Sequence, residues 1–323
     1  MKIATCCGLL ACAPLALTQA AGADVYPTRP IRFINPTAPG GTAEPIARVL
    51  ALKLSESLGQ SVVVDSRGGA GGTVGTATAA NALPDGYTLL LGVVSPMAIN
   101  VSLYGSKLPY DPLKDFAPIS LITRVPQVLS VHPMLPVATI RQLIDLAKDP
   151  KSRLNYGSAG SGTTGHLVAE LLKKRAGIQL THIPFKGSGP ALTAFLSGDV
   201  SIMLSGPPAV LALAQAGRLR VLATSGVTRT PVMPDVPTFI EFGLPIDVTS
   251  WYCLVVPTGT PHAIVSRLHA ATVEALKSPQ VADTLLKMGA PPEPSSPEQL
   301  RTFLRAEIKK FAEVVAIADA KID

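Results

Sequence analysis

One phrase that occurs twice constrains the fold of this chain more than any other feature. Ile31 to Asn35 reads as a short apolar strand and Pro36 to Thr42 as a Pro/Gly turn, after which Ile46, Val49, Leu50, Leu54 and Leu58 recur at helical spacing up to a Gly59 stop. Ser61 to Asp65 reads as the next strand, and the Gly-rich Arg67 to Gly75 loop opens a helix through Asn81. Tyr87 to Val94 is then almost continuously apolar, as in a strand buried in a parallel sheet. The order returns as a strand at Leu154 to Gly157, a Gly/Ser/Thr loop at Ser158 to Gly165, a helix from His166 to Arg175, a stop at Gly177 and a strand at Leu180 to Pro184. Lys186-Gly187-Ser188-Gly189 and a new helix follow. Two α/β lobes sharing this phrase are expected, although strand, glycine and helix are also general α/β grammar.

The N-terminus is of a different character. Lys2, the apolar run Ile3 to Leu17 and Ala21-Gly22-Ala23 before Asp24 read as a secretory signal, residues 1–23. Leu9-Leu10-Ala11-Cys12 resembles a lipid-attachment box but lies too early, so lipid anchoring is not expected. Cys6, Cys7 and Cys12 leave with the signal, and Cys253 alone cannot form an internal disulfide. The fold must rest on packing, and about 300 residues exceed what one core usually serves, so two separately packed lobes are expected.

Composition narrows the class. Hydrophobic content of 47% suits a well-packed globule, whereas charged residues at 15% fall below the ~25% usual for soluble domains. Thirty prolines and 27 glycines point to many tight turns around apolar strands. Beyond the signal no apolar run approaches the ~20 residues of a membrane span, which predicts a soluble exported protein. The net charge of +6 is spread over Arg29, Arg32, Arg48, Lys53, Arg67 and others without a cluster, so nucleic acid is not an expected partner. A mild positive field favours small anions in a cleft; it also serves solubility.

The lobes need not divide the chain at its middle. Thr123 to Pro126 precedes a strand at Val128 to Val131 that begins the second lobe, and the apolar Asp247 to Val256 leads back. The expected division is 24–125 for the first part of lobe 1, 126–247 for an inserted lobe 2, and 248–323 for the return strand and three helices. Those helices run from Pro261 to Lys277, Pro279 to Met288 and Ser296 to about Ala318, the last opening on a Ser-Pro-Glu-Gln cap.

Gly160-x-Gly162-x-x-Gly165 follows a strand and opens a helix as a dinucleotide fingerprint would. It lacks the acidic residue about twenty positions on that would hold a ribose, since Phe185 and Lys186 stand there. The physics beneath the fingerprint survives: a small-residue loop at a helix start presents unpaired N–H groups to an anion. Pro36 to Thr42 offers the same device. Neither loop holds Lys or Arg, so backbone amides and the hydroxyls of Thr37, Thr42, Ser158, Ser161, Thr163 and Thr164 would do the binding. Each loop alone reads as an ordinary βα turn, and the match between two favours binding.

Catalytic signals are poor. There is no Gly-x-Ser-x-Gly elbow and no His-Glu-x-x-His, and His132, His166, His182, His262 and His269 show no metal spacing. His166, in the first turn of the second loop's helix, could donate to an anion or to a nearby carbonyl. Cys253 lies within the apolar Trp251 to Val256 and is expected to be buried and inert. Trp251, the only tryptophan, is expected to pack at the hinge, and the scarcity of aromatics disfavours a sugar ligand.

A series of motifs, in order, covers the chain: Tyr26-Pro-x-Arg-Pro-Ile-Arg, Pro36-Thr-Ala-Pro-Gly-Gly, Leu58-Gly-Gln, Arg67-Gly-Gly-Ala-Gly-Gly, Pro84-Asp-Gly-Tyr-Thr-Leu-Leu-Leu-Gly and Leu108-Pro-Tyr-Asp-Pro-Leu-Lys-Asp-Phe-Ala-Pro-Ile. Asn155-Tyr-Gly-Ser-Ala-Gly-x-Gly-Thr, Phe185-Lys-Gly-Ser-x-Pro-Ala-Leu, Pro234-Asp-Val-Pro-Thr and Pro257-x-Gly-Thr-Pro261 continue it. With them the chain resembles the Bug (TctC-type) solute-binding proteins of tripartite tricarboxylate transport. The resemblance implies a type II periplasmic-binding-protein fold: two α/β lobes, two hinge crossings, and a ligand carboxylate pinched between a first-lobe and a second-lobe loop. Carried over, the ligand-binding residues are Thr37, Ala38, Gly40, Gly41 and Thr42 from the first loop. The second loop supplies Ser158, Ala159, Ser161, Gly162, Thr163 and His166, with Ser95 and Ser205 from strand ends. No catalytic residue, metal or cofactor is implied.

This chain departs from the family where an aromatic is usual at Thr37, polar groups at Val93, Val94 and Met97, an aspartate at Glu44 and an Asp-Asn pair at Ser205-Gly206. The expected ligand is therefore a small organic mono- or dicarboxylate with a less polar remainder and no ammonium group. The expected protein is a periplasmic monomer serving membrane transporter subunits. Rival readings are an exported enzyme on the same fold and a ligand-gated signalling receptor.

Overall fold

A computed structural model describes residues 26–149 and 151–321; the expected signal segment lies outside the described residues. Ten strands form two five-stranded sheets. In chain order they are β1 (Ile31–Asn35), β2 (Val62–Ser66), β3 (Thr88–Val93), β4 (Phe116–Pro126), β5 (Val128–Val131), β6 (Asn155–Ser158), β7 (Thr181–Pro184), β8 (Ile202–Ser205), β9 (Arg220–Thr224) and β10 (Thr249–Pro257). The helices are α1 (Ala43–Leu58), α2 (Thr73–Ala80), α3 (Asn100–Tyr104), α4 (Ile140–Lys148), α5 (Thr164–Ala176), α6 (Ser188–Ser197), α7 (Pro207–Gln215), α8 (His262–Lys277), α9 (Pro279–Lys287) and α10 (Pro297–Ala318).

The two sheets repeat one pattern. The first has the order β2-β1-β3-β10-β4 and the second β7-β6-β8-β5-β9. In each, three strands joined through helices lie parallel, as crossover connections require. The fourth runs antiparallel to both neighbours. That fourth strand is the one entered directly from the other lobe: β5 after the first crossing and β10 after the second. The phrase read twice in the sequence is thus one topology built twice. β4, an eleven-residue strand, is among the elements that sequence patterning passes over, with β9, α3, α4 and α7. Pro118, Ser120 and Thr123 interrupt its apolar run, and its position at the sheet edge tolerates the proline.

Local chemistry sets the helix limits. α1 buries Ile46, Ala47, Leu50, Ala51, Leu54 and Leu58 on one face and stops at Gly59, whose left-handed φ of 71° closes the C-terminus. α10 starts on a capping box, the Ser296 side chain accepting from Gln299 N while the Gln299 side chain accepts from Ser296 N. α10 packs on β4 and on the Ser95–Tyr104 segment of the first lobe, and also on α5 of the second. One apolar core consequently runs from the first sheet into the Leu167–Leu172 face of α5, and a second cluster around Val128, Phe195, Met203 and Val210 fills the other side of lobe 2. The expectation of two separately packed lobes is corrected here, because a single long helix seals both behind the hinge. Cys253 is buried and unpaired, its Sγ 2.5 Å from where a Cβ on Gly92 would stand. No helix among the described residues is long and apolar enough to cross a membrane.

Candidate functional site

Each loop after a first parallel strand is held by a short polar clamp. In lobe 1 the Asn35 side-chain oxygen, at the end of β1, accepts from Thr37 N at 3.2 Å and Thr37 Oγ1 at 2.9 Å, fixing the exit of the chain. Glu44, in the first turn of α1, accepts from Gly40 N at 2.8 Å and from Arg48. The Gly40 amide, with Arg48, holds the Glu44 carboxyl below the usual carboxylate range.

In lobe 2 the Ser158 hydroxyl accepts from Gly160 N at 3.1 Å and lies 2.7 Å from His182 Nε2. Thr163 Oγ1 donates to Gly160 O at 2.7 Å, and Gly162 N donates to His166 Nδ1 at 3.2 Å. The His166 ring stacks on His182 at 4.3 Å and His182 on Tyr156 at 4.8 Å. This stack, buried at Tyr156 and His166 and half-buried at His182, forms the floor of the loop. The Ser158–His182 pair, which sequence reasoning did not name, belongs to that floor and not to the cleft wall.

Between the lobes lies a cavity of about 730 Å³. Thr37, Ala38, Thr42, Ser95, Ala159, Ser161, Thr163 and Ser205 line it. Gly40, Gly41, Ser158, Gly162 and His166 do not: Ser158 and His166 support the second loop from behind, and the three glycines meet the opposite lobe. Gly41 and Gly40 press against Ser188 and Gly189, so that a Cβ on Gly41 would stand 2.6 Å from Ser188 Cβ. Gly162, at φ 78°, backs onto Leu103 and the Asn100 side chain, leaving a Cβ no room.

The inner wall includes residues that the sequence reading missed. Gln127 follows β4 directly, and Ser250 and Tyr252 lie on β10. Gln127 Nε2 donates to Ser250 Oγ at 2.9 Å, and Ser250 Oγ donates to Thr164 Oγ1 at 3.1 Å, linking both crossings to the start of α5. Burial pushes the pKa of Tyr252 up, which keeps its hydroxyl, beside Thr42 and Ser250, a protonated donor. Trp251, between them in sequence, faces away: its Nε1 donates to Glu307 at 2.7 Å and its ring packs edge-on against Phe303. Strand alternation was the signal available, since Ser250 and Tyr252 must share a face that Trp251 does not.

Five helix starts converge on the cavity. Thr42 and Ala43 of α1, Gly72 before α2, Thr163 and Thr164 of α5, Gly187 and Ser188 of α6, and Gly206 before α7 all line it. None of the five helices has a side-chain N-cap, which they share with α3, α8 and α9, whereas α4 and α10 are capped by Thr139 and Ser296. First-turn N–H groups have no partner within their own helix, and each helix adds a positive dipole end. The wall carries no carboxylate, and Lys186 is its one charged side chain among the described residues. An ammonium group would find no counter-charge there. Nor is there a cluster of three or more His, Cys, Asp or Glu among the described residues that could hold a metal.

The chain resembles known proteins over most of its length. Residues 46–319 match the family described as tripartite tricarboxylate transporter family receptor. The chain is 41% identical over 302 residues to Protein BugT of Bordetella pertussis, spanning 93% of this chain and 92% of that one. A solved R. palustris protein with adipate superposes with a TM-score of 0.89 at 36% identity, over 92% of this chain and 100% of that one. MatC from Rhodopseudomonas palustris with bound malate gives 0.84 at 33% identity, over 90% and 100%. The fold is the two-lobed type II arrangement of periplasmic binding proteins.

Proposed function

The chain belongs to the family of tripartite tricarboxylate transporter receptors, and from that premise we propose that it is a periplasmic receptor closing on a small organic carboxylate. The observation that carries the reading is the ring of five helix starts, uncapped by side chains, around a cavity without a carboxylate. Hydrogen bonds to a charged partner contribute roughly 1.5–3 kcal/mol each, so a few amides and hydroxyls suffice for micromolar affinity, about 8 kcal/mol. Val93 and Leu204 on the wall suit an apolar remainder, and the absence of an acidic partner there disfavours amino acids.

Binding and closure are one event in this reading. The first-lobe loop meets Gly187 to Gly189 of the second only when the lobes are together, so a ligand touching both sides favours the closed state. The closed molecule presents a surface across both lobes to membrane transporter subunits. In this reading the protein works as a monomer and transforms nothing.

Native mass spectrometry of the protein purified from the periplasm tests this. A bound small acid, recovered chemically unchanged after release, is the expected result. A chemically altered compound appearing with time would contradict a receptor and turn attention to the Ser158–His182 pair.

A further inference from the structure

The cavity wall is chemically lopsided. Its inner part is uncharged and hydroxyl-rich, formed by the buried Thr42, Thr164, Ser205, Ser250 and Tyr252. Its rim is formed by the exposed Pro39, Gly68, Ala70 and Lys186. Lys186 lies between β7 and α6, and among the described residues it makes no ion pair. Its backbone is not free to wander. Gly187, at φ 125°, sits so close to Ala38 of the first lobe that a Cβ would collide with the Ala38 methyl. The backbone that carries the one cation of the wall thus lies at the seam where the lobes meet, while the hydroxyls of the wall are buried.

We propose that Lys186 is the residue that reads charge at the far end of the ligand, distinguishing a two-headed anion from a monoanion of the same length. This rests on reading the cavity as a carboxylate site. An inner carboxylate is satisfied by amides and hydroxyls without a cation, which leaves Lys186 unused by a monoanion. A ligand long enough to reach the rim places its second anionic group beside Nζ. The wall has no acidic side chain to compete for that ammonium. A fully solvated ion pair would alter affinity only a few-fold and a desolvated one up to about a hundredfold, so a rim position sets the expectation near tenfold.

The test is calorimetric titration of α,ω-dicarboxylates of four to eight carbons, and of the monocarboxylates of equal length, into the wild type, Lys186→Gln and Lys186→Arg. Lys186→Gln is expected to weaken the best dicarboxylate about tenfold, to leave the monocarboxylates within twofold and to flatten the salt dependence of dicarboxylate binding. Lys186→Arg is expected to keep the wild-type preference. Equal losses for both classes, or none for either, would overturn the assignment while leaving the site intact. Failure of every acid to bind the wild type would overturn the carboxylate reading and the assignment with it.

Discussion

The backbone N–H of Gly206 donates to Thr42 Oγ1 at 3.2 Å, tying the start of α7 in the second lobe to the start of α1 in the first. Thr42 occupies the N-cap position of α1 but does not cap it. Its hydroxyl is spent across the cleft, which leaves the α1 amides to the cavity and makes the bond a marker of closure.

Thr42→Val keeps the shape of the side chain and removes that acceptor. An unsatisfied buried N–H costs about 1–3 kcal/mol, and here the cost falls on the closed state alone. Ligand affinity is expected to drop about five- to a hundredfold with little change in the melting temperature of the unliganded protein, read by calorimetry and thermal denaturation. Unchanged affinity would mean that the bond plays no part in closure.

Gly189→Ala tests the seam without straining the backbone, because Gly189 is not among the left-handed glycines. The added methyl would run into the Pro39 carbonyl oxygen of the opposite lobe. The variant is expected to fold and to melt within about 2 °C of wild type, as a substitution away from the core should. It should bind carboxylates at least tenfold more weakly and stay extended in small-angle scattering when ligand is added.

Trp251 makes the hinge visible. Its Nε1 donates to Glu307, and burial raises the Glu307 pKa above the usual 4.5. A raised carboxyl pKa contributes stability that is fully present below the unfolded value and is lost as pH rises through the folded one. The melting temperature of Glu307→Gln should therefore gain on wild type as pH rises from 4 toward 7. Emission from Trp251, the sole tryptophan, should titrate in wild type above pH 4.5 and not in the variant. A Glu307→Gln melting temperature that falls relative to wild type as pH rises would contradict the assignment.

Glu44 has the opposite sign. Its carboxyl is held low by the Gly40 amide and Arg48, so its contribution is present above 4.5 and is lost as pH falls through the depressed value. Glu44→Gln should be less stable than wild type at pH 7 and converge with it toward pH 3, followed by circular dichroism.

Much of this was legible in the sequence because α/β grammar is local. Gly59 and Gly177 end α1 and α5 where the apolar spacing stops, and both take left-handed conformations. The two anion loops were legible as loops, but Gly40, Gly162 and His166 turn inward to support them instead of lining the cavity. Whether a loop amide faces the ligand or its own scaffold depends on partners such as Glu44 and the His166 ring, each four residues on in the helix that follows. Gln127 and Ser250 were invisible for another reason: 123 positions separate them, and only the pairing of β10 with β4 brings the two crossings together. Lys186 was visible as the basic residue before Gly187 in the second copy of the repeated phrase and as one that spoils a dinucleotide motif, but not as a wall residue. Its place on the rim follows from Gly187 meeting Ala38 across the cleft.

The central claim is that helix starts and hydroxyls hold a carboxylate between closing lobes. Its most direct test is calorimetric titration of the wild type with mono- and dicarboxylic acids of four to eight carbons beside their neutral amides. At least one acid is predicted to bind with a Kd of about 10 μM or tighter while its amide gives no heat of binding. An amide that binds as well as its acid, or a series in which no acid binds, would contradict the account.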